Sequence, residues 1–248
     1  QVAYVRREGS PFSKTEKNLH RHKSRATDLT LSQFFRYHRP MGNDQNRRPI
    51  AARASGWAAS LSAALARSSI TPNQISLLSI FFAAVGAAVL FWIVSVPALL
   101  MCAVGVQLRL ACNLLDGMVA MEGGKKTATG ALYNEFPDRV ADSLLIVALG
   151  YAAGTPWLGW LGALLAALTA YVRVFGGSLG QPQDFRGPMA KQHRMAVLTV
   201  ACVVGAVEMY LAGSRYTLLI ASIVIAAGSL LTCINRARSI AARLREQD

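Results

Sequence analysis

The side chains best suited to chemistry are crowded into one stretch. Asp116, Glu122, Glu135, Asp138 and Asp142 all fall between positions 116 and 142, although the chain has only 13 acids against 26 Lys and Arg. Asn113, Asn134, Gly117, Ala120 and Gly130 stand among them. On a helix, residues three and four apart are neighbours, so Asn113, Asp116 and Ala120 would share one face. Asn134, Asp138 and Asp142 follow at spacings of four, again one face, with Gly130 a turn earlier. Two helices joined by a short turn pack antiparallel as neighbours, and these faces would then oppose each other. Facing oxygen-bearing side chains can hold a hard divalent cation such as Mg²⁺. The small residues leave room for a ligand to approach the backbone. Gly123-Gly124-Lys125-Lys126-Thr127 does not complete a phosphate-binding P-loop, because Val119 stands where that motif needs its first glycine.

The elements that must position these residues are membrane helices. The chain is 53% hydrophobic and 16% charged with mean hydropathy +0.33, which excludes a disordered, collagen-like or disulfide-stapled protein and points away from a soluble one. Six apolar stretches, at 73–96, 97–119, 129–151, 157–176, 195–211 and 216–234, are each about the twenty residues a crossing helix requires. No strand alternation suggests a barrel, the other fold that hydrocarbon permits. The expected fold is therefore an all-α integral membrane bundle of six transmembrane helices.

Basic residues orient it. Lys125, Lys126, Arg186, Lys191, Arg194 and Arg236 flank one side, whereas Arg215 is alone on the other, so both termini are expected in the cytoplasm. Residues 1–70 hold 13 Lys and Arg against four acids. Within them, 50–70 reads as an interfacial amphipathic helix, with Trp57, Leu61 and Leu65 at helical spacing. Residues 1–49 read as a basic segment, disordered or lying on the cytosolic membrane surface, and 236–248 as a basic cytosolic tail. The run from His20 to Arg25 is basic, but it lacks the interleaved aromatics of a nucleic-acid tail, so nucleic acid is not an expected partner. Cys102, Cys112, Cys202 and Cys233 all fall within apolar stretches and are expected to be free thiols.

The acidic stretch resembles the signature of the CDP-alcohol phosphotransferases, D-x-x-D-G-x-x-A-R-x8-G-x3-D-x3-D. It matches at Asp116, Gly117, Ala120, Gly130 and Asp138 with every spacing kept. Thr71-Pro72-Asn73 is similar to the family's opening of its first span. Tyr171-Val172-Arg173 and Gly187-Pro188-Met189-Ala190-Lys191-Gln192-His193-Arg194 are similar to the segment around its fourth loop. The resemblance covers residues 50–234, and 71–235 would be the catalytic domain.

The resemblance implies an enzyme of phospholipid biosynthesis, commonly a homodimer in the lipid bilayer, and in a prokaryote in the inner membrane. With Mg²⁺ or Mn²⁺ it would transfer a substituted phosphate from a CDP-linked lipid donor, CDP-diacylglycerol foremost, to a small alcohol acceptor and release CMP at the cytoplasmic face. Carried over by position, Asp116 and Asp138 would be catalytic and, with Asn113 and Asn134, would hold metal. Gly117, Ala120 and Gly130 would line the cytidine pocket. Arg173, Lys191 and Arg194 would bind a phosphate or carboxylate on the acceptor.

Three departures bear on this reading. Asn113 and Asn134 replace two of the four signature aspartates, and Met121 replaces the arginine. An asparagine offers a metal an oxygen but no charge, so affinity for two divalent ions should fall. The alternative is a catalytically silent relative that binds a CDP-lipid or serves a structural role.

Overall fold

The computed structural model describes residues 55–247. The expected basic segment 1–49 and the start of the 50–70 helix lie outside the described residues. Among those described the chain is helical throughout: α1 (Gly56–Arg67), α2 (Pro72–Trp92), α3 (Val96–Glu122), α4 (Gly130–Ala152), α5 (Pro156–Ser178), α6 (Lys191–Ala212) and α7 (Tyr216–Arg245). Five of these, α2, α3, α5, α6 and α7, are long and apolar enough to cross a membrane. Helix α4 matches them in length but carries Glu135, Asp138, Arg139 and Asp142 within its first thirteen residues. The chain is an α-helical, multi-pass membrane protein.

Three hairpins build the bundle. The pairs α2/α3, α4/α5 and α6/α7 are each joined by a three-residue turn, so the members of each pair run antiparallel. The connectors at the other end are longer, at 123–129 and 179–190, and they lie beside the acidic stretch.

Local chemistry sets the helix starts. Thr71 caps α2 in a reciprocal capping box: its Oγ1 accepts from the Gln74 N–H at 3.3 Å, and its own N–H donates to Gln74 Oε1 at 2.9 Å. Pro72 fills the first turn, where no amide donor is needed. The Thr-Pro-Asn motif is thus a helix start, and Asn73 Nδ2 ties it to Thr127 and Thr129 ahead of α4, at 3.4 and 3.3 Å.

Small residues permit close crossings. A side chain at Gly105 would lie 2.9 Å from the Phe82 carbonyl oxygen, and one at Gly150 only 2.5 Å from Gly159, so α2/α3 and α4/α5 pack nearly backbone to backbone. The core is correspondingly rich in alanine, with Leu90, Leu99, Leu145, Leu149, Met195 and Leu198 filling it. Large apolar residues such as Phe81, Trp92, Val204 and Leu211 are left on the outside, where lipid would cover them.

One expectation is corrected here. Helices α3 and α4 are not closely packed neighbours; α4 lies against α2, α5 and α7, whereas α3 lies against α1, α2 and α6. The seven-residue connector is long enough to let α4 settle on α2, and polar side chains, Arg109 and Asn113 reaching Asp138 and Asp142, bridge α3 to α4. In α1, Ala58 and Ser62 are buried, while Trp57 and Leu61 face outward at 54% and 43% exposure.

Candidate active site

Helix α3 contributes Arg109, Asn113 and Asp116 on successive turns, and α4 contributes Asp138 and Asp142. Pro137, next to Asp138, cannot donate to the Tyr133 carbonyl, which loosens the helix ladder beside the site. Across the gap, Asn113 Nδ2 donates to Asp138 Oδ1 at 2.9 Å. Arg109 is fully buried and its Nη2 spans both carboxylates, 3.3 Å from Asp138 Oδ1 and 2.5 Å from Asp142 Oδ1. Lys191, the first residue of α6, makes an ion pair with Asp138 Oδ2. Arg194, one turn on, pairs with Asp142 Oδ2 at 3.0 Å and donates to the Met189 carbonyl at 2.7 Å.

Asp116 stands apart from this network. Its Oδ2 accepts from Ser76 Oγ at 2.6 Å, while its Oδ1 is buried and has no hydrogen-bond partner. At the next residue, a side chain added at Gly117 would meet nothing within 4 Å, so that position of the helix borders open space. Asn134 is exposed, one turn before Asp138, and Ala120 and Gly130 are half-buried.

The remaining basic residues are engaged rather than free. Arg173 donates to Glu135 Oε1 and Gln183 Oε1, and it lies 5.2 Å from the centre of the Phe185 ring. Arg194 is 1% exposed, so it serves the interior of the bundle. An open basic cavity of about 480 Å³ lies next to them, lined by Asp184, Arg186, Gly187, Asn235, Arg236 and Arg238. Arg236 Nη1 donates to the Thr169 carbonyl at 2.6 Å, which joins this cavity to the turn holding Arg194.

Above the cavity, the 179–190 connector is clasped by Asp184. Its carboxylate accepts from the Arg186 backbone N–H, Nε and Nη2 at 2.9, 3.1 and 2.8 Å, and Arg243 approaches at 3.6 Å. Hydrogen bonds from Arg186, with its charge, hold the Asp184 carboxyl down at about 2 against the opposing effect of burial. Gly187 has φ of +135°, and a side chain there would strike Thr232. That position has both a conformational and a steric reason to be glycine.

The two polar faces read from the sequence do meet, and Asp142 belongs with them. Arg109 was not legible as a site residue, yet it is the hub of the ionic network. The available signal was an ionisable residue inside an apolar stretch, one turn before Asn113. Arg236 carries no such signal, because its partners, the Thr169 and Arg186 carbonyls, come from segments far away in the chain.

Among the described residues, no three His, Cys, Asp or Glu side chains converge as a ready-made metal cage. One hard cation fits beside the unpartnered Asp116 Oδ1, since Mg²⁺ is commonly held by one or two carboxylates together with substrate phosphates. A pair of cations does not fit this arrangement, because both oxygens of Asp138 are taken by Asn113, Arg109 and Lys191.

Fold and site together define a multi-pass helical membrane protein with a carboxylate-centred site at one end of its bundle. No protein-family model matches the chain, but individual proteins do. It is 27% identical over 202 residues to the phosphatidylinositol phosphate synthase of Streptomyces avermitilis, covering 74% of this chain and 78% of that protein. It is 34% identical over 143 residues to the bifunctional IPC transferase and DIPP synthase of Rubrobacter xylanophilus, covering 55% of this chain and 32% of that protein. The inner membrane protein YnbA of Escherichia coli K12 is 25% identical over 173 residues, 69% of this chain and 84% of that one. Among solved structures, phosphatidylinositol phosphate synthase of Mycobacterium tuberculosis with CDP-DAG bound has the same fold, with a TM-score of 0.63 at 18% identity over 74% of this chain and 92% of that one. Its complex with manganese and citrate also gives 0.63 at 18% identity, over 74% and 88%. In sequence the chain is thus similar to a named transferase and a named synthase, and in fold to a phosphatidylinositol phosphate synthase.

Proposed function

We propose that this protein transfers a phosphatidyl group from a CDP-linked lipid, CDP-diacylglycerol in the first instance, to the hydroxyl of a small alcohol, releasing CMP at the cytoplasmic face of the membrane. The observation that carries this reading is the buried, unpartnered Asp116 Oδ1, with open space at the next residue, Gly117, on a signature whose spacings are all kept. An acceptor oxygen with no donor is costly to bury, and a site that receives a cation with its ligand accounts for it. The named relatives include a transferase and a phosphatidylinositol phosphate synthase, and a related structure holds CDP-DAG.

Asp116 would hold a divalent ion, Mg²⁺ or Mn²⁺, with Asn113 and Asn134 as neutral oxygen donors nearby. When bound, such an ion neutralises the diphosphate and stabilises the departing CMP. Asp138 would orient the acceptor hydroxyl and take its proton, with Asn113 and Arg109 fixing its direction. Gly117, Ala120 and Gly130 would form the wall against which the cytidine lies. The acceptor would approach from the cavity between Arg186 and Arg238, with Arg173, Lys191 and Arg194 setting the charge behind it. In this reading α4 is the sixth crossing helix, its ionic part shielded by α3 and α6, and the active form is a homodimer.

The test is CMP release from CDP-diacylglycerol by the purified protein with Mg²⁺ or Mn²⁺ and a panel of small alcohols and their phosphates. Release is expected to require the metal and to fall at least 100-fold in Asp116→Ala and Asp138→Ala. A second reading, a silent CDP-lipid binder, is favoured by the full pairing of Asp138. CDP binding without CMP release from any acceptor would replace the first reading with the second.

A further inference from the structure

The ionic network contains two cations placed where a two-metal centre would need vacant carboxylate oxygens. Asp138 receives the Lys191 ammonium on Oδ2, and the Arg109 guanidinium and Asn113 amide on Oδ1. Arg139 adds a more distant contact to Oδ2 at 3.8 Å. The substitutions run in the same direction: where the signature has aspartates, Asn113 and Asn134 remove two negative charges. Asn113 also turns an amide donor toward Asp138, and a donor on that oxygen competes with a metal for the same lone pairs.

We infer that Lys191 is a built-in replacement for one of two active-site cations, so that the site takes a single divalent ion, on Asp116, and leaves Asp138 to a protein ammonium. Three features of the chain support this assignment. Lys191 is the first residue of α6, and its ammonium pairs with Asp138 Oδ2, the oxygen not taken by Asn113 and Arg109. Its neighbour Arg194 is committed to Asp142, the Met189 carbonyl and Thr169, so the two cations divide the two carboxylates between them. Asp116, by contrast, takes part in none of these ion pairs: its Oδ2 accepts from the Ser76 hydroxyl, and its Oδ1 has no hydrogen-bond partner. Carboxylates this close would repel one another if none were neutralised; Asp138 and Asp142 each pair directly with protein cations, and Asp116 does not.

The inference rests on the metal-dependent reading above, but its test counts metal rather than product. Purified protein in lipid nanodiscs is titrated with Mn²⁺, and bound ions are counted by electron paramagnetic resonance, which also detects the exchange coupling of a close manganese pair. Wild type is expected to bind one Mn²⁺ per chain without coupling. Two variants with both asparagines restored to aspartate, differing only at position 191, isolate the lysine. Asn113→Asp/Asn134→Asp/Lys191→Met should bind two coupled Mn²⁺, and Asn113→Asp/Asn134→Asp/Lys191→Arg should bind the second at least tenfold more weakly. Monodisperse elution and a cooperative thermal transition qualify each variant as folded. Two coupled ions in wild type, none in wild type, or equal second-site affinity in the Met and Arg variants would each overturn the inference. One ion bound to wild type without CMP release would instead defeat the transferase reading and leave this inference standing.

Discussion

Asp142 shows how much of this site is structure rather than chemistry. It is 2% exposed and holds two buried guanidinium groups, Arg109 at 0% and Arg194 at 1%. Charges so far from water are tolerated only when paired, and breaking such a pair by removing one partner costs about 3–5 kcal/mol. The cost should be at the high end here, because Arg109 Nε and Nη1 and Arg194 Nε already lack partners. Asp142→Asn is therefore expected to lower the thermal midpoint by 10 °C or more in detergent, whereas Glu135→Gln, whose side chain is 36% exposed, should change it little. Similar midpoints for the two variants would mean that Asp142 is not the clamp of α3, α4 and α6. The spacing of Asp142 from Asp138 was readable directly, but its role was not. A carboxylate one turn beyond a signature reads as a spare ligand until the arginines from α3 and α6 are seen on it.

At the scale of elements, the 179–190 connector is the least regular part of the site, and a single carboxylate organises it. Asp184 gathers the Arg186 amide and guanidinium, while Arg186 Nη2 also reaches Ser239 on α7 at 2.9 Å, and the Arg186 carbonyl accepts from Arg236 at 2.9 Å. Because Asp184 ionises at about 2 in the folded protein, below the ordinary value near 4, its contribution is complete above pH 4 and is lost as pH falls toward 2. Pepsin works in that window and can cut at Phe185. Cleavage of wild type should rise between pH 4 and pH 2, and Asp184→Asn should already be cut at pH 4. Equal cutting of both proteins at pH 4 would show that the clasp does not hold the connector. The helices themselves were legible because length and apolar content are enough to mark them, and the Thr71 cap and the Pro72 start fixed one boundary closely. The partnership of helices was not. A seven-residue connector suggested that α3 and α4 are neighbours, yet Gly86 and Gly105 bring α2 against α3, and α4 follows onto α2. Within the 123–129 segment, Thr127 and Thr129 hold the start of α4 to Asn73 of α2, a contact that spacing along the chain does not reveal.

For the whole molecule, the distribution of charge between the two ends of the bundle makes the strongest statement. The end that carries the site also carries Arg67, Lys125, Lys126, Arg186, Lys191, Arg236, Arg238, Arg243 and Arg245, whereas the turns at 93–95, 153–155 and 213–215 contain one basic residue, Arg215. Excess Lys and Arg in short connectors stays on the cytoplasmic side, so the site should open toward the cytosol, where a CDP-linked donor would present its nucleotide. Arg215 does not offset this, because Glu208 sits at the same end and caps the start of α7, accepting from Ser214 Oγ and from the Tyr216 and Thr217 amides. Cysteine labelling can read the orientation directly. Lys126 is exposed in the connector at the site end, and Tyr216, 70% exposed, begins α7 at the opposite end. In intact cells a membrane-impermeant maleimide should label Tyr216→Cys at once and Lys126→Cys only after permeabilisation. Of the native thiols Cys102, Cys112 and Cys202 are buried, and the half-buried Cys233 is replaced by serine in both labelling variants. The reverse pattern would put the Asp116 site on the outer face, away from any cytosolic nucleotide, and would remove the basis for a CDP-dependent activity more decisively than the loss of any one side chain.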